Sequence, residues 1–324
     1  MHGPSAAREN LAIARHLLRF SKRRIPAPDR AEKSFRPKPP SHEKSPSHGM
    51  GKEIEMLNVR KAASSAALVF PQAQIEVVQA ALETGVRAFL LEGEPGTGKT
   101  ALGRALGAQA VNQGGHFVFA QANAWASDEF LIRGIDLAGF VENDPDRVYA
   151  PGLLMTASRL SAETSAPVLV ILDEWDKTRP VADGLLLAAL EERIVVDAAG
   201  RQLGRIGNNV IFWITSNASR ELHPALRRRV LPQRLNPLAD RELIRLLGEA
   251  GAAPVTANYL AVMRREAKER THLLTLPDLL RIAEIVPALT SAEAVRFLLA
   301  GFGVNEFGDN LWAAACRDRK AAGR

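Results

Sequence analysis

From residue 72 onward the apolar positions change period several times, and each change marks an element. Ile75, Val78, Ala81 and Leu82 recur at the three-and-four spacing of a single helix face. Strand-like, mainly apolar runs follow at 88–92, 116–120, 168–172 and 210–215, the clearest being Val168-Leu169-Val170-Ile171-Leu172, with segments of helical period between them. Apolar runs without polar alternation predict strands covered on both faces, and strands alternating with helices predict a buried parallel sheet. Beyond Pro237 the period is helical throughout, over 239–250, 256–270, 278–286 and 291–300, broken at Gly251, Pro254, Pro277 and Pro287. The fold class is α/β: a parallel sheet flanked by helices over residues 56–237, followed by a smaller all-α domain over 238–324.

Residues 1–55 read differently. From Ile25 to Gly49 the chain is rich in Pro, Ser, Lys and His with hardly an aliphatic residue, which predicts disorder because too little apolar surface is available to offset ordering entropy. The preceding stretch, 7–24, has the spacing of a basic amphipathic helix through Leu11, Ile13, Leu17 and Leu18; a transit peptide, a docking helix and a start of the native chain at Met50 or Met56 are the open readings. This tail changes the meaning of the net charge of +6. Residues 1–49 hold eleven Lys/Arg against four Asp/Glu, whereas the remainder holds 31 against 32. The body is neutral, and a nucleic-acid surface finds no support in it. One cysteine, Cys316, rules out an internal disulfide framework and a cysteine zinc site, in keeping with a reducing, cytoplasmic setting. No stretch reaches the roughly 20 apolar residues of a membrane-spanning helix.

The chemistry begins at Gly93-Glu94-Pro95-Gly96-Thr97-Gly98-Lys99-Thr100, a G-x-x-x-x-G-K-[ST] loop between an apolar strand and the helical segment opening at Ala101. In such a loop the backbone N–H groups turn inward around a phosphate, the helix adds its positive dipole end, the lysine reaches the β- and γ-phosphates, and the Thr100 hydroxyl is a Mg²⁺ ligand. A glycine turn between core elements is the alternative, and the strand-before, helix-after setting disfavours it. Strand 168–172 then ends in Asp173-Glu174, and ligands of open α/β sheets sit at the carboxyl ends of strands. Asp173 is placed to hold Mg²⁺ and Glu174 to deprotonate an attacking water; an ordinary strand-end turn is the alternative. Strand 210–215 delivers Asn217, which can hold that water or the γ-phosphate in line; an asparagine starting a turn is the alternative. Finally, Arg227-Arg228-Arg229 follow a short helical turn, and three adjacent guanidinium groups are too many for partners within one small domain. At least one is expected to face a neighbouring molecule, where an arginine supplied to developing phosphate charge accelerates hydrolysis by ~10³ to 10⁵; a solvated charge run is the alternative.

Together these parts resemble the AAA+ ATPases, and within them the MoxR-like branch, over about residues 60–300. Asp173-Glu174-Trp175-Asp176-Lys177 is similar to the branch's D-E-I-[ND]-[RK] run, and 185–193 to its L-L-E-A-M-x-E-R helix. Residues 134–150 resemble the helix-2 insert, and 194–206 the hairpin before the sensor 1 asparagine, with Gly200 at the turn. The resemblance implies an ATP-binding P-loop NTPase with a helical lid, Mg²⁺ as cofactor, assembly as a homo-hexamer, and Arg229, which precedes the apolar Val230, as the arginine acting across the interface in preference to Arg228. It also implies a protein client or a partner carrying a von Willebrand A-type domain. One departure stands out: Pro277 occupies the place of the sensor 2 arginine, and either Arg281, one turn later, takes over contact with the γ-phosphate or lid closure is sensed less tightly. Adenine as the base rests on the resemblance. The implied activity is ATP-driven remodelling or maturation of a protein complex; a nucleic-acid motor or loader and a weakly hydrolysing nucleotide-gated binding module are the alternatives.

Overall fold

The computed structural model describes residues 57–66, 68, 70–124, 128–136, 141–142, 149–197, 199–270 and 272–323. The tail before residue 57 and, in the first insert, residues 137–140 and 143–148 lie outside the described residues. Two compact units emerge. One runs up to Leu243 and includes Leu273–Asp278; the other comprises Ile244–His272 and Leu279–Arg324.

In chain order the first unit contains α1 (Val59–Ser65), α2 (Gln72–Glu83), β1 (Ala88–Gly93), α3 (Lys99–Asn112), β2 (His116–Gln121), α4 (Asp128–Leu131), β3 (Arg133–Ile135), β4 (Tyr149–Pro151), α5 (Leu153–Glu163), β5 (Val168–Asp173), α6 (Val181–Glu191), β6 (Ile194–Val196), β7 (Gln202–Arg205), β8 (Val210–Ser216), α7 (Pro224–Arg227) and β9 (Leu231–Leu235). Five strands form one sheet in the order β2-β5-β8-β1-β9, every neighbouring pair parallel.

Side-chain alternation explains why the central strands are apolar throughout. Val168, Val170 and Leu172 join Leu90, Phe212 and Ile214 in a core with α5 and α6 on one face. Leu169 and Ile171 join Phe89, Leu91 and Trp213 in a second core with α1, α2 and α3 on the other. Helix α3 lies close on the sheet because Gly103 leaves room: a Cβ there would stand 2.7 Å from Trp213 Cδ1 and 2.8 Å from Ile171 Cδ1. A glycine inside a helix costs about 1 kcal/mol relative to alanine, and close packing is what it gains here.

The edge strand β9 is absent from the sequence-based expectation. Leu231-Pro232-Gln233-Arg234-Leu235 has neither the continuous apolar run of a central strand nor a free N–H at Pro232, yet it pairs with β1 from Phe89↔Leu231 to Gly93↔Leu235. An edge position tolerates proline and half-exposed side chains. Two small antiparallel sheets complete the unit. β3 pairs with β4 (Ile135↔Tyr149), and β6 with β7 in the hairpin expected around Gly200, whose φ of +76° turns the chain. Asp197 holds that turn by accepting from the Ala199 and Arg201 backbone N–H groups and from Arg201 Nε.

The C-terminal helices are α8 (Asp240–Glu249), α9 (Pro254–Glu269), α10 (Leu276–Ile285), α11 (Ala292–Ala300) and α12 (Gly308–Ala321). Pro254 and Pro277, read as breaks, instead sit in the first turns of α9 and α10, where the missing N–H has no intrahelical partner to lose. Asp318 on α12 accepts from the Val255 and Thr256 N–H groups and the Thr256 hydroxyl, satisfying the start of α9. The five-stranded parallel sheet flanked by helices, followed by a helical C-terminal region, is AAA+ architecture. Among the described residues, no helix is long and apolar enough to cross a membrane.

Candidate functional site

The site forms where parallel strands end together. The pairings Gln121↔Asp173, Leu172↔Ile214 and Glu92↔Ser216 bring the carboxyl ends of β2, β5, β8 and β1 into one row. Gly93 ends β1, and its lack of a side chain is required: a Cβ would lie 2.4 Å from the Leu235 carbonyl oxygen. Pro95 and Gly96 are the exposed tip of the loop. Gly98, left-handed at φ +90°, turns the chain into α3 at Lys99, with Phe70 and Leu68 as an apolar wall beside it. Thr97 closes the loop by donating its hydroxyl to the Glu94 carbonyl at 2.8 Å.

Lys99 is 5% exposed, and its ammonium donates to the Gly93 and Glu94 carbonyls at 2.8 and 2.9 Å. Burial pushes its pKa down, against the charges of Asp176, Asp173, Glu174 and Glu94, which favour the ammonium. Thr100, on the first turn of α3 beside Ala101, donates its hydroxyl to Asp173 Oδ1 at 2.5 Å. The same carboxylate oxygen accepts from the Thr215 hydroxyl at 2.7 Å, and Thr215 Oγ1 in turn accepts the Glu174 N–H at 2.9 Å.

Glu174 has a left-handed backbone, φ +54°, unusual for a residue with a side chain, and Thr215 holds it there. Its carboxylate accepts from Asn217 Nδ2 on one oxygen and Gln121 Nε2 on the other, each at 3.2 Å. Thr100, Asp173, Glu174 and Asn217, predicted separately from the sequence, thus stand in one connected group. Gln121 and Thr215 were not anticipated. The only sequence signals for them are polar residues at the last positions of apolar strands. Hydroxyl and carboxylate oxygens side by side are hard donors of the kind Mg²⁺ takes, an ion that commonly keeps one or two protein oxygens and completes its octahedron with phosphate and water. Thr100 and Asp173 fit it.

The three arginines have three fates. Arg227 makes a two-pronged pair with Glu92, on β1 next to the loop, at 2.5 and 3.0 Å. Arg229 pairs with Glu191 on α6 and donates to the Ala225 carbonyl at 2.8 Å. Arg228 is exposed, and its guanidinium has no ion-pair partner among the described residues. Of the three, Arg228 is the one without an ionic partner among the described residues, whereas the resemblance favours Arg229. Arg281 is an exposed residue of α10.

The fold and this row of strand ends define a P-loop nucleotide-binding domain. Residues 88–230 match the family model of the AAA domain, dynein-related subfamily. That match, taken with the architecture, supports an AAA+ ATPase, a class that generally binds ATP with Mg²⁺, hydrolyses it and assembles into rings. A comparison with curated proteins finds no match.

Proposed function

We propose that this chain is a MoxR-like AAA+ ATPase that hydrolyses ATP to remodel or mature a protein complex, working as a homo-hexameric ring with a protein client or a von Willebrand A-type partner. The observation that carries the hydrolytic part is the continuous contact Thr100–Asp173–Thr215–Glu174–Asn217 at the mouth of a phosphate loop. Lys99 would exchange its carbonyl partners for the β- and γ-phosphates, drawn by charge-assisted hydrogen bonds stronger than neutral ones. Bound Mg²⁺ would supply charge neutralisation on the phosphate oxygens, and Thr100 and Asp173 are the residues to hold it. Glu174 would take the proton of the attacking water, with Asn217 fixing the direction of its carboxylate. An arginine of a neighbouring subunit would complete the site, and the exposure of Arg228 favours it for that task. Support for the MoxR-like branch comes from the two small antiparallel sheets, which stand where the insert-like segments were read, and from the Asp173–Lys177 run.

The test is the steady-state ATPase rate against protein concentration, with and without DNA. A specific activity that rises with concentration and ignores DNA is expected. A rate independent of concentration would refute the ring, and salt-sensitive activation by DNA would establish the nucleic-acid alternative.

A further inference from the structure

Two buried carboxylates beyond Glu174 have been given no part in positioning the catalytic groups. Asp176 is 4% exposed and Asp183 fully buried. Asp176 Oδ2 accepts from the Ser219 N–H at 2.9 Å and from its hydroxyl at 2.6 Å. Asp183, on α6, accepts four hydrogen bonds: Oδ1 from Trp175 Nε1 at 2.9 Å and Arg220 Nη2 at 2.7 Å, Oδ2 from Arg220 Nη1 at 2.9 Å and the His223 N–H at 2.7 Å. Arg220 adds two donations to Thr178, one to its carbonyl and one to its hydroxyl.

The segment after β8 is thus fastened to the segment after β5 at Ser219, Arg220 and His223. Asn217 lies immediately before the first fastening, followed by Ala218, whose φ of +59° is a second left-handed residue bearing a side chain. Such backbone persists where the surroundings hold it. At the other end of the segment, His223 Nδ1 accepts from Ala225 N–H and so starts α7, the short helix that ends at Arg227 and leads into Arg228 and Arg229. A buried ion pair contributes little to stability by itself, because desolvation offsets attraction. This one joins the acid, the asparagine and the arginine helix, the three parts whose relative placement hydrolysis depends on.

We propose that Asp176 and the Asp183–Arg220 pair are positioning residues: they hold Asn217 against Glu174 and keep the arginine helix in register with both. The inference rests on the reading of Glu174 as the residue that activates water. Its test uses the full chain and compares wild type with Arg220→Gln, Arg220→Lys, Asp183→Asn and Ser219→Ala in kcat and KM for MgATP, with circular dichroism as the check on folding. Displacing a group by about 1 Å can cost on the order of 100-fold in rate. Arg220→Gln is expected to lower kcat by roughly tenfold or more with KM within about twofold, and Arg220→Lys to recover part of the loss. Adding Asn217→Ala to Arg220→Gln should then produce less than the product of the two separate losses, because both act through one geometry. Ser219 is exposed and its N–H would still reach Asp176 after the change, so Ser219→Ala is expected to fold and keeps the test decisive if the Asp183 change unfolds the chain; a kcat reduced by about threefold is expected there. Hydrolysis by wild type with kcat unchanged in the folded variants, or with fully multiplicative losses, would overturn the positioning role alone. No hydrolysis by wild type would overturn the reading of Glu174 and this inference with it.

Discussion

Replacing Thr215 with valine removes one hydroxyl from the centre of the site while nearly preserving volume. Thr215 is 1% exposed, and its oxygen both donates to Asp173 and accepts the Glu174 N–H. A hydrogen bond to a charged group contributes about 1.5–3 kcal/mol net, and a buried N–H left without a partner costs about 1–3 kcal/mol. Asp173 keeps the Thr100 donor, which softens the first loss, so the combined destabilisation comes to roughly 2–4 kcal/mol. The N–H that loses its partner belongs to the residue with the left-handed backbone, so Glu174 should also relax from its place. Turnover should fall by at least about tenfold, at the low end of what removal of a preorganised donor costs. Urea unfolding followed by circular dichroism measures the first effect and a coupled ATPase assay the second; Thr215→Ser, which keeps the hydroxyl, should stay close to wild type in both. A Thr215→Val protein destabilised by less than about 0.5 kcal/mol, the scatter of ordinary surface changes, and turning over normally would refute this account of how Glu174 is held.

Three further outcomes follow from particular contacts. Gly103→Ala should lower the thermal midpoint despite alanine's better helix propensity, because crowding against Trp213 and Ile171 costs about 1–3 kcal/mol against a gain of about 1; a raised midpoint would mean that α3 can lift from the sheet. Glu191→Ala should change stability by no more than about 1 kcal/mol, since the Glu191 carboxylate is exposed and Arg229 keeps its bond to the Ala225 carbonyl, as a urea midpoint would report. Mixed assemblies of Arg228→Ala subunits with Lys99→Ala subunits should recover part of the activity lost by either alone, since one kind of junction then carries both groups intact; a mixture shown to contain both chains that stays inactive at every ratio would remove Arg228 from a role between subunits.

Much of the fold could be read from residue pattern because the central strands are covered on both faces. Val168–Leu172 must be apolar at every position to fill two cores, and such a run has few other homes. Gly98-Lys99-Thr100 was legible for a different reason: phosphate loops need those residue types in that order, so the local sequence carries the geometry. The edge strand Leu231–Leu235 was not legible, because an edge makes weak demands on its residues and its pairing with β1 is a long-range fact. The same holds for the arginines. Adjacent in sequence, Arg227, Arg228 and Arg229 are told apart only by what the fold brings to them: Glu92 for the first, Glu191 for the last and no ionic partner among the described residues for the middle one. Thr215 and Gln121 acquire meaning only when β8 and β2 end beside Glu174, and Asp183 only when Arg220 returns to it from 37 positions away.

The central claim is that Glu174 activates the water that attacks ATP bound at the loop. The most direct measurement is Glu174→Gln in the full chain, with ATP affinity and steady-state turnover determined side by side. The glutamine keeps the shape and can still be held by Asn217 or Gln121, but it cannot take a proton. ATP affinity within about twofold of wild type, with turnover reduced by ~10² to 10⁴, the range that general-base catalysis contributes, is the predicted result. Turnover close to wild type would contradict it.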